Sequence, residues 1–569
     1  MATIPICSPQ LIKLPRPSFS SASPSRFSTR KTRTVVCNAS IDRRDMLIGL
    51  GGLYSAASSG LIMPGQTIAA PIESPDLSTC KKSTVADPDG NIVTIEPTCC
   101  PPYSDKIVDF FPSTPSRIRV RPAVQNMTND QIAKYKEATK RMRALDKEDP
   151  RSFYQQAMVH CAYCNNAYDQ VGVIPEQPLQ IHNGWLFFPF HRWYLYFYEK
   201  ILGKLIDDED FVMPFWNYDD PAGMTLPAIF DDPTSSLYDP IRNQEHRGST
   251  IVDLNFGTPA ETTDTELIQL NLDLMYRQMV TNSKTPKQFF GEKYVTGDTP
   301  NPGAGSVEGL PHSPIHVWVG SEPSPETPFR ENMGNFYSAG RDPIFYCHHM
   351  NVDRLWNVWK DISPRNRDPR RPEFLEANFL FYDENAQLVR VKVKDCLNSS
   401  LLGYRYDSVP IAWMEKTPTP SFPRGSGKKR GKKLRKPGRV KFPLQLKSTT
   451  SVLVKRSIKK RSKAEKETAE EVVVIEGIQL NFGDFVKFDV YVNSPDNAVK
   501  PGTSEFSGSF VNVPHNKDSN GKTSLTLGLT DLLDDIEADD DDDIIITLVP
   551  RKGLVKIGGV SIKFLTDDD

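Results

Sequence analysis

Residues 186–205 read LFFPFHRWYLYFYEKILGKL, a stretch in which aromatic and aliphatic side chains recur at helical spacing. Because apolar residues surround almost the whole helix, the pattern predicts a buried helix rather than a surface one. Further helical patterns lie on both sides of it, at 128–147, 152–168, 264–282 and 342–360. The sequence therefore predicts a mainly α domain over residues 71–415.

Beyond residue 466 the apolar pattern changes to alternation with a period of two. Six segments are rich in β-branched and aromatic residues and are separated by Gly, Pro, Asn and Asp: EVVVIEGIQL, DFVKFDVYVN, SEFSGSFVNVP, KTSLTLGL, DIIITLVP and GVSIKFL. This spacing predicts an all-β sandwich over residues 467–569. The run Asp539–Asp543 lacks the spaced ligands and the Gly of a calcium-binding loop, so we interpret it as a solvated acidic turn.

Residues 416–466 differ from both domains. They are Pro-rich at first and then basic, with GKKRGKKLRKPGRVK and VKRSIKKRSK. Such a composition is typical of an exposed, protease-sensitive linker. The formal net charge of the chain is -2, which argues against a general nucleic-acid binder, so we do not interpret the basic runs as a nucleic-acid arm.

The N-terminus has the composition of a two-step targeting signal. Residues 1–40 are rich in Ser, Pro, Arg and Lys and contain no acidic residue, as in an organellar transit peptide. Within 41–70, a twin-arginine pair precedes a short apolar stretch and a small-residue cleavage site. That stretch is shorter than the roughly 20 residues of a membrane span, so we expect a cleaved signal and no stable span in the mature protein. The two steps predict import into the chloroplast, twin-arginine translocation and residence in the thylakoid lumen.

The nine cysteines divide by position, and two of them, Cys7 and Cys37, lie in the N-terminal segment that we expect to be removed. Five cluster near the start of the mature chain, at Cys80, Cys99, Cys100, Cys161 and Cys164, and they indicate a disulfide staple on an irregular segment. Cys347 and Cys396 lie far from that cluster and fit buried, reduced thiols.

Six of the nine histidines form two triplets, and none of the nine precedes residue 160. The first triplet lies in HCAYC, IHNGW and FPFHRW; the second lies in PHSPIHVW and DPIFYCHHMNVDRLW. Imidazole suits copper, zinc, iron or nickel, and one triplet alone would also fit catalytic zinc. Two all-histidine triplets without an obvious Asp or Glu ligand favour a dioxygen-binding dicopper centre. A single buried histidine is more often part of a core, but the aromatic setting and the repeated triplet favour metal ligands.

These motifs, together with VKFDVYVN and EFSGSFVNVPH near the C-terminus, resemble those of plant polyphenol oxidases, the tyrosinase and catechol oxidase family. The resemblance covers essentially the whole chain. It implies a four-helix-bundle core that holds two copper ions, long loops around it, and a C-terminal β-sandwich that shields the site. It also implies dioxygen as co-substrate and small phenols as substrates.

The resemblance also implies a role for individual residues. The first copper is assigned His160, His182 and His191, and the second is assigned His312, His316 and His349, with His348 a neighbour. Cys164 is implied to form a thioether with His182, and the disulfides are implied to be Cys80–Cys100 and Cys99–Cys161. Glu308 matches a carboxylate that positions a water, Phe336 an aromatic residue over the second copper, and Tyr404 and Tyr406 a tyrosine motif.

Ser313 departs from the Asn that some family members that hydroxylate monophenols hold at this position. A Ser hydroxyl is a shorter and different partner for a water held by Glu308. We therefore expect oxidation of o-diphenols to o-quinones as the main activity, with monophenol hydroxylation open. The resemblance further implies that the C-terminal domain keeps the enzyme latent until an activating protease cuts the basic linker.

Three other functions remain compatible with the sequence. The first is a specialised member of the same family that acts in flavonoid, aurone or lignan biosynthesis. The second is a haemocyanin-like dioxygen carrier, since such proteins share paired three-histidine copper sites. The third is a structural zinc protein. The two-step leader and the position of Cys164 favour the oxidase over the carrier.

Overall fold

The computed structural model describes residues 69–86, 91–95, 98–421, 437–494, 501–515 and 521–566. The predicted transit peptide (1–40), nearly all of the predicted twin-arginine signal (41–70) and most of the first basic run of the linker (427–436) lie outside these ranges. Within them, ten α-helices are present: α1 Asn129–Ala144, α2 Phe153–Cys164, α3 Phe187–Leu205, α4 Asp264–Tyr276, α5 Pro286–Phe290, α6 Ser313–Val319, α7 Ile344–Ile362, α8 Pro372–Leu375, α9 Lys463–Thr468 and α10 Thr530–Asp535. No helix in the described part of the chain is long and apolar enough to cross a membrane.

Three of the predicted helices, α1, α2 and α4, begin after a Thr or Ser whose side chain accepts from a free backbone N–H group of the first turn. Thr128 accepts from the backbone N–H of Gln131, whose side chain reaches back to the backbone of Thr128, so that a capping box begins α1. Ser152 caps α2 in the same manner through the N–H of Gln155. The predicted helix over 264–282 is α4 continued by one π-helical turn over Arg277–Thr281. The mainly α prediction for this region is therefore confirmed.

Helix α3 is buried along almost its whole length, as its composition predicts. Its aromatic side chains continue into rings from α5 and α7: Phe188 stacks on Phe289 with ring centroids 4.6 Å apart, and Phe289 stacks on Trp359 at 4.1 Å. Offset stacking of this kind stabilises a core beyond the area that it buries. Helices α2, α3 and α6 each bring one histidine to the centre of this core, and α7 brings two.

Short strands brace the outside of the helical domain: β1 Thr84–Ala86, β2 Ile92–Thr94, β3 Ile107–Asp109, β4 Arg119–Arg121, β5 Asn378–Tyr382, β6 Leu388–Lys392 and β7 Tyr404–Tyr406. Strand β7 pairs in parallel with β4. The hydroxyls of Tyr404 and Tyr406 both donate to Oδ2 of Asp353, on α7, and Nε of Arg192, on α3, donates to Oδ1 of the same carboxylate. The tyrosine motif thus ties the end of this domain to the two helices that carry His191 and His349.

The C-terminal part is a sandwich of two antiparallel sheets, as predicted. Its strands are β8 Leu444–Gln445, β9 Thr450–Lys455, β10 Glu470–Gln479, β11 Val486–Val492, β12 Phe506–Asn512, β13 Lys522–Gly528, β14 Asp543–Lys552, β15 Lys556–Ile557 and β16 Gly559–Leu565. One sheet has the order β13-β10-β15-β8, with β16 also paired to β10, and the second has the order β12-β11-β14-β9. All six predicted segments are strands, and their apolar faces form one core between the sheets.

The predicted linker is too long, because its second half is folded. Strand β9 pairs with β14 from Thr450↔Leu548 to Lys455↔Asp543, so the sandwich begins well before residue 467. Arg456, which we assigned to a solvated basic run, is buried and pairs with Glu471 at 2.8 Å. Composition alone could not predict the burial of Arg456, because a run of basic residues is expected to be exposed unless its carboxylate partners are known.

The acidic run supplies those partners. Asp542 accepts from Lys459, Asp540 pairs with Lys460, and Asp539 pairs with Lys466. The turn is therefore an ion-paired surface that faces the second basic run, rather than an isolated solvated loop.

The sandwich packs on the helical domain through polar contacts. Asn282 donates to the carbonyl of Ser507 and accepts from the N–H of Gly528. The first residues of the predicted linker also cross to the sandwich: Thr419 forms a parallel bridge with Thr503, and its carbonyl accepts from the N–H of Ser504 at 3.0 Å. We call residues 418–421 the strap.

Candidate metal centre

The first histidine triplet is assembled from two helices and one loop. His160 lies on α2, His191 lies near the start of α3, and His182 lies in the turn before α3. Their ring centroids are 5.1 to 5.7 Å apart, and all three side chains are buried. Buried imidazoles this close together repel one another when charged, which favours the neutral ring.

Backbone carbonyls fix the orientation of two of these rings. Nδ1 of His160 lies 2.8 Å from the carbonyl oxygen of Phe336, and Nδ1 of His191 lies 2.8 Å from that of Phe187. A proton on Nδ1 makes these bonds and leaves Nε2 as a lone-pair donor that faces the centre. Neither Nε2 has a hydrogen-bond partner among the described residues, and neither ring nitrogen of His182 has one.

The second triplet is held by α6 and α7. His312 is the residue before α6 and its Nδ1 lies 3.0 Å from the carbonyl of Glu308, while Nδ1 of His316 lies 2.8 Å from that of Met333. Pro314 stands in the first turn of α6, as its missing N–H requires, so His312 precedes the helix and His316 lies within it. Nε2 of His316 is 3.1 Å from Nε2 of His312 and 3.4 Å from Nε2 of His349.

These separations fit a shared ion. Imidazole nitrogens that bind one metal at about 2.0–2.1 Å in a tetrahedral arrangement lie roughly 3.3 Å apart. Burial lowers the pKa of His191 to about 3 and the pKa of His316 to about 4, so both rings are neutral, as metal ligands must be. The two triplets face each other: His191 stacks on His349 with ring centroids 4.1 Å apart. Each of the two histidine groups could therefore hold a metal ion with imidazole ligands.

The chain matches three family models, which together span most of the part after the targeting region. The common central domain of tyrosinase matches residues 150–362, the polyphenol oxidase middle domain matches 368–419, and the chloroplastic polyphenol oxidase C-terminal domain matches 442–564. The chain is 50% identical to the chloroplastic polyphenol oxidase of Malus domestica, over 94% of this chain and 91% of that protein. It belongs to the plant polyphenol oxidase family.

Other relatives agree with this assignment. The aureusidin synthase of Antirrhinum majus is 48% identical over 90% of this chain and 92% of that protein. The structure of latent apple tyrosinase superimposes with a TM-score of 0.77 at 52% identity, and covers 81% of this chain and 100% of that one. The protein is therefore an oxidoreductase of the tyrosinase fold whose cofactor is a pair of copper ions, and the two histidine groups are the residues that can hold them.

The structure places His348 beside the second triplet rather than apart from it. Its ring stacks on that of His312 at a centroid distance of 5.2 Å and lies 5.5 Å from the ring of Tyr218. His348 belongs to the same histidine group as His349, so proximity alone does not separate them. Nε2 of His349 lies 3.4 Å from Nε2 of His316, which is compatible with His349 as the ligand, and this choice stays a prediction.

Both implied disulfides are present, and they anchor the irregular segment before α1. Cys80 is bonded to Cys100, and Cys99 is bonded to Cys161 on α2. Cys164 is a free, buried thiol whose sulfur lies within 4.8 Å of the ligand atoms of the first triplet. That position is compatible with the implied thioether to His182, which stays a prediction.

Glu308 connects the two triplets through the backbone. Its Oε1 accepts from the N–H of Asn183, the residue after His182, at 2.6 Å, and its own carbonyl accepts from Ser313 Oγ at 2.9 Å. Burial raises the pKa of Glu308 to about 8. The hydroxyl of Ser313 is thus bonded to the main chain of Glu308, not to its carboxylate.

A residue that the sequence analysis left unassigned, His515, completes the wall of the site. The ring of Phe336 stacks on His182 with ring centroids 4.0 Å apart and on His515 with ring centroids 5.0 Å apart, at interplanar angles of 23° and 24°. The N–H of Phe336 also donates to the carbonyl of Pro514. His515 is the last residue of the EFSGSFVNVPH motif, so the sequence did single out the segment that contains it. Nothing in that motif indicated that the ring of His515 stacks on Phe336.

Proposed function

We propose that this protein oxidises o-diphenols with dioxygen and releases o-quinones and water. The observation that carries the proposal is the pair of facing, neutral, all-imidazole triplets beside the ring of Phe336. When bound, the copper pair supplies the redox chemistry with dioxygen. Imidazoles that are already neutral and oriented by backbone carbonyls need little rearrangement to bind the copper ions.

The residues around the centre position the phenol and its protons. The ring of Phe336 offers a flat apolar surface against which an aromatic substrate stacks, and it shields the centre from water. Glu308 is the nearby acid–base group: its Oε2 is buried and has no hydrogen-bond partner among the described residues, so a substrate proton can be taken up there, directly or through a water. Because the pKa of Glu308 is raised to about 8, the carboxyl group can exchange a proton with a phenol near neutral pH.

Ser313 supports diphenol oxidation as the main activity rather than monophenol hydroxylation. Because its hydroxyl donates to the carbonyl of Glu308, the hydroxyl hydrogen is not available to a water held by the carboxylate in this arrangement. Of the two side chains at positions 308 and 313, only Glu308 would then hold the water that monophenol hydroxylation requires.

We further propose that the enzyme is stored in a latent form. His515 and Pro514 of the sandwich lie on the outer face of Phe336, where a substrate ring would approach. Proteolysis in the basic linker, between the strap and β8, would free the sandwich. The leader supports import into the chloroplast and twin-arginine transport into the thylakoid lumen; relatives such as that of Malus domestica are named chloroplastic.

A substrate panel tests the proposal. Full-length and linker-cleaved protein are assayed for dioxygen uptake with 4-methylcatechol, with tyramine and with a tetrahydroxychalcone, and copper is quantified in each sample. We expect rapid uptake with 4-methylcatechol, a rise after cleavage and slow turnover of tyramine. Brisk, lag-free turnover of tyramine would refute the assignment of Ser313. Equal activity before and after cleavage would refute latency.

The chalcone arm addresses a second candidate function. Aureusidin synthase is nearly as similar to this chain as the Malus enzyme is, which supports a specialised oxidation in flavonoid or aurone biosynthesis as the alternative. A kcat/KM for the chalcone well above that for 4-methylcatechol would favour this alternative. The copper measurement in the same samples separates both from a zinc protein.

A further inference from the structure

A row of aromatic rings leads from the second histidine group toward the surface of the helical domain. In order, its members are His348, Tyr218, Trp216, Trp318 and His246, and neighbouring ring centroids lie 4.5 to 6.4 Å apart. At the inner end, the ring of His348 lies 4.9 to 5.2 Å from the other three imidazoles of its group. We call these five residues the aromatic row.

The row runs from the buried centre to a half-buried side chain. Trp216 and Tyr218 are fully buried, Trp318 is 2% exposed and His246 is half-buried. The imidazole of His246 is parallel to the indole of Trp318 within 1° and stacks on it with ring centroids 4.5 Å apart. Electron transfer between rings slows steeply as the gap between them grows, so rings in contact carry an electron further than one long step. The row therefore connects the copper centre to the solvent by short steps.

The indoles of the row can hold a positive charge. An indole can lose one electron and still keep its N–H proton, because the charge spreads over both of its rings. Nε1 of Trp216 donates to the carbonyls of Gly223 and Thr225 at 2.9 and 3.0 Å, and such bonds strengthen when the donor is charged. No carboxylate or imidazole among the described residues accepts from the buried hydroxyl of Tyr218. Tyr218 therefore keeps its proton and serves as a bridge between its neighbours.

A comparison with Trp356 shows how the surroundings of an indole decide its role. Trp356 is as buried as Trp216 and lies on α7. The guanidinium of Arg192 lies 3.6 Å from its ring centroid, and the ammonium of Lys360 lies 4.7 Å away. Cations this close oppose the removal of an electron from the ring, because they repel the positive charge that results. In the described part of the chain no Lys or Arg lies over the rings of Trp216 or Trp318 in this way.

From this arrangement we infer that the aromatic row is an electron-entry path, through which a one-electron donor at the surface reduces the copper centre without entering the substrate site. With hydrogen peroxide as the oxidant, two donor molecules each give one electron through Trp318 and Trp216. One peroxide takes up these two electrons and two protons from the solvent, its O–O bond breaks, and two water molecules form.

This activity goes beyond the proposed oxidation of o-diphenols, because it requires the copper pair but no phenol in the site. It also differs in place: the donor acts near His246, on a part of the helical domain apart from the stack of Phe336 and His515. The latent enzyme can therefore be reduced while its substrate site is covered.

A donor assay on the full-length, copper-loaded protein tests the inference. The protein is mixed with hydrogen peroxide and ferrocenemethanol, a one-electron donor that carries no proton to be lost, and ferrocenium is followed by its absorbance. The test variant is Trp318→Phe, which keeps an aromatic ring that is much harder to oxidise. The matched control is Trp193→Phe: Trp193 lies two residues after His191, as Trp318 lies two residues after His316, but its ring packs outside the row.

We expect Trp318→Phe to lose most of the ferrocenium formation per bound copper pair and Trp193→Phe to keep the rate of the parent. A second readout omits the donor: samples frozen after mixing with peroxide should show the electron paramagnetic resonance signal of an indole radical in the parent and none in Trp216→Phe/Trp318→Phe. Copper content and the initial rate of 4-methylcatechol oxidation after linker cleavage show that the single variants keep an intact centre.

Three results overturn the inference: equal ferrocenium formation in the parent and Trp318→Phe, equal losses in Trp318→Phe and Trp193→Phe, or no ferrocenium from the parent. An indole radical that persists in the double variant also overturns it. Each of these results is independent of turnover with catechols, so a failure here is distinguishable from a failure of the proposed diphenol oxidation.

Discussion

Two regions of this protein bury nitrogen-bearing side chains, and they do so by opposite means. At the copper centre the imidazoles are neutral and buried, and the Nε2 atoms of the first triplet have no hydrogen-bond partner among the described residues. In the second basic run, Arg456 is buried with its charge and is bonded to Glu471 and to backbone carbonyls of the acidic turn. A buried nitrogen needs a partner in either region. The neutral imidazole nitrogen has a lone pair and suits a metal cation, whereas the charged guanidinium needs an anion such as a carboxylate.

This contrast explains what the sequence could predict. Histidine is rare in the chain, and two triplets at recognisable spacing are specific enough to place the centre on α2, α3, α6 and α7. Strand alternation likewise predicted the six main strands of the sandwich. Lysine and arginine are common, so the basic run around Arg456 had many possible explanations, and its partner Glu471 could be found only in three dimensions.

The stack of His182, Phe336 and His515 was also beyond the sequence. Two of these residues belong to the helical domain and the third to the sandwich, more than a hundred residues further along the chain. A contact between rings from two domains produces no regular spacing of residues in either sequence segment, so it cannot be predicted from the sequence pattern. The sequence could predict only that the motifs with His182 and Phe336 belong to the copper site and that the motif with His515 belongs to the covering domain.

The largest effect that we predict comes from removing one imidazole. His349→Ala should lose about one copper per chain and reduce kcat for 4-methylcatechol by about a thousandfold or more, because a dinuclear redox centre cannot operate with one ion. The measurement is metal analysis combined with the oxidase assay. His348→Ala is the control and should retain two copper ions; equal copper loss in both variants would contradict the choice of His349.

Next in size is the buried ion pair of the other region. Arg456→Ala leaves Glu471 buried without its charge partner and should lower the free energy of unfolding of the sandwich by about 3–5 kcal/mol. Denaturant melts followed by circular dichroism measure this. The control is Lys459→Ala, which removes an exposed pair with Asp542 and should lower the free energy of unfolding by no more than about 1 kcal/mol. Similar losses in the two variants would indicate that Arg456 lies in a solvated linker and not in the folded sandwich.

A smaller effect is expected at Cys164, which tests whether the copper centre has a covalent support. Peptide mass spectrometry should find Cys164 and His182 in one cross-linked species that lacks two hydrogens relative to the separate peptides. Cys164→Ser should abolish that species and weaken copper binding at the first triplet by about 10–100-fold in competition with a chelator. Recovery of both peptides unlinked from copper-loaded enzyme argues against the thioether.

The smallest predicted effect is a pH dependence at the contact between the domains. Burial raises the pKa of Glu470 to about 7, and Lys284 of the helical domain lies 3.5 Å away. An acid whose pKa is higher in the folded state binds its proton more tightly there, so its contribution to stability is present below pH about 4.5 and falls as the pH rises to about 7.

Glu470→Gln should therefore flatten the decrease in melting temperature between these two pH values, by the equivalent of about 1–3 kcal/mol. Thermal melts of the parent and the variant across this range measure the effect. Glu467→Gln is the control, because that side chain is exposed, and it should leave the profile unchanged. Parallel curves for the parent and Glu470→Gln would show that Glu470 titrates normally.

The strap changes what a cut in the linker means. Thr419 stays on the side of the helical domain after such a cut, yet its carbonyl still binds the N–H of Ser504 in the sandwich. In the intact chain the covering domain is held at a high effective concentration by its tether, whereas in the cut chain its return becomes bimolecular. The severed enzyme would then be a complex with a dissociation constant, and the fraction of open sites would increase when the sample is diluted.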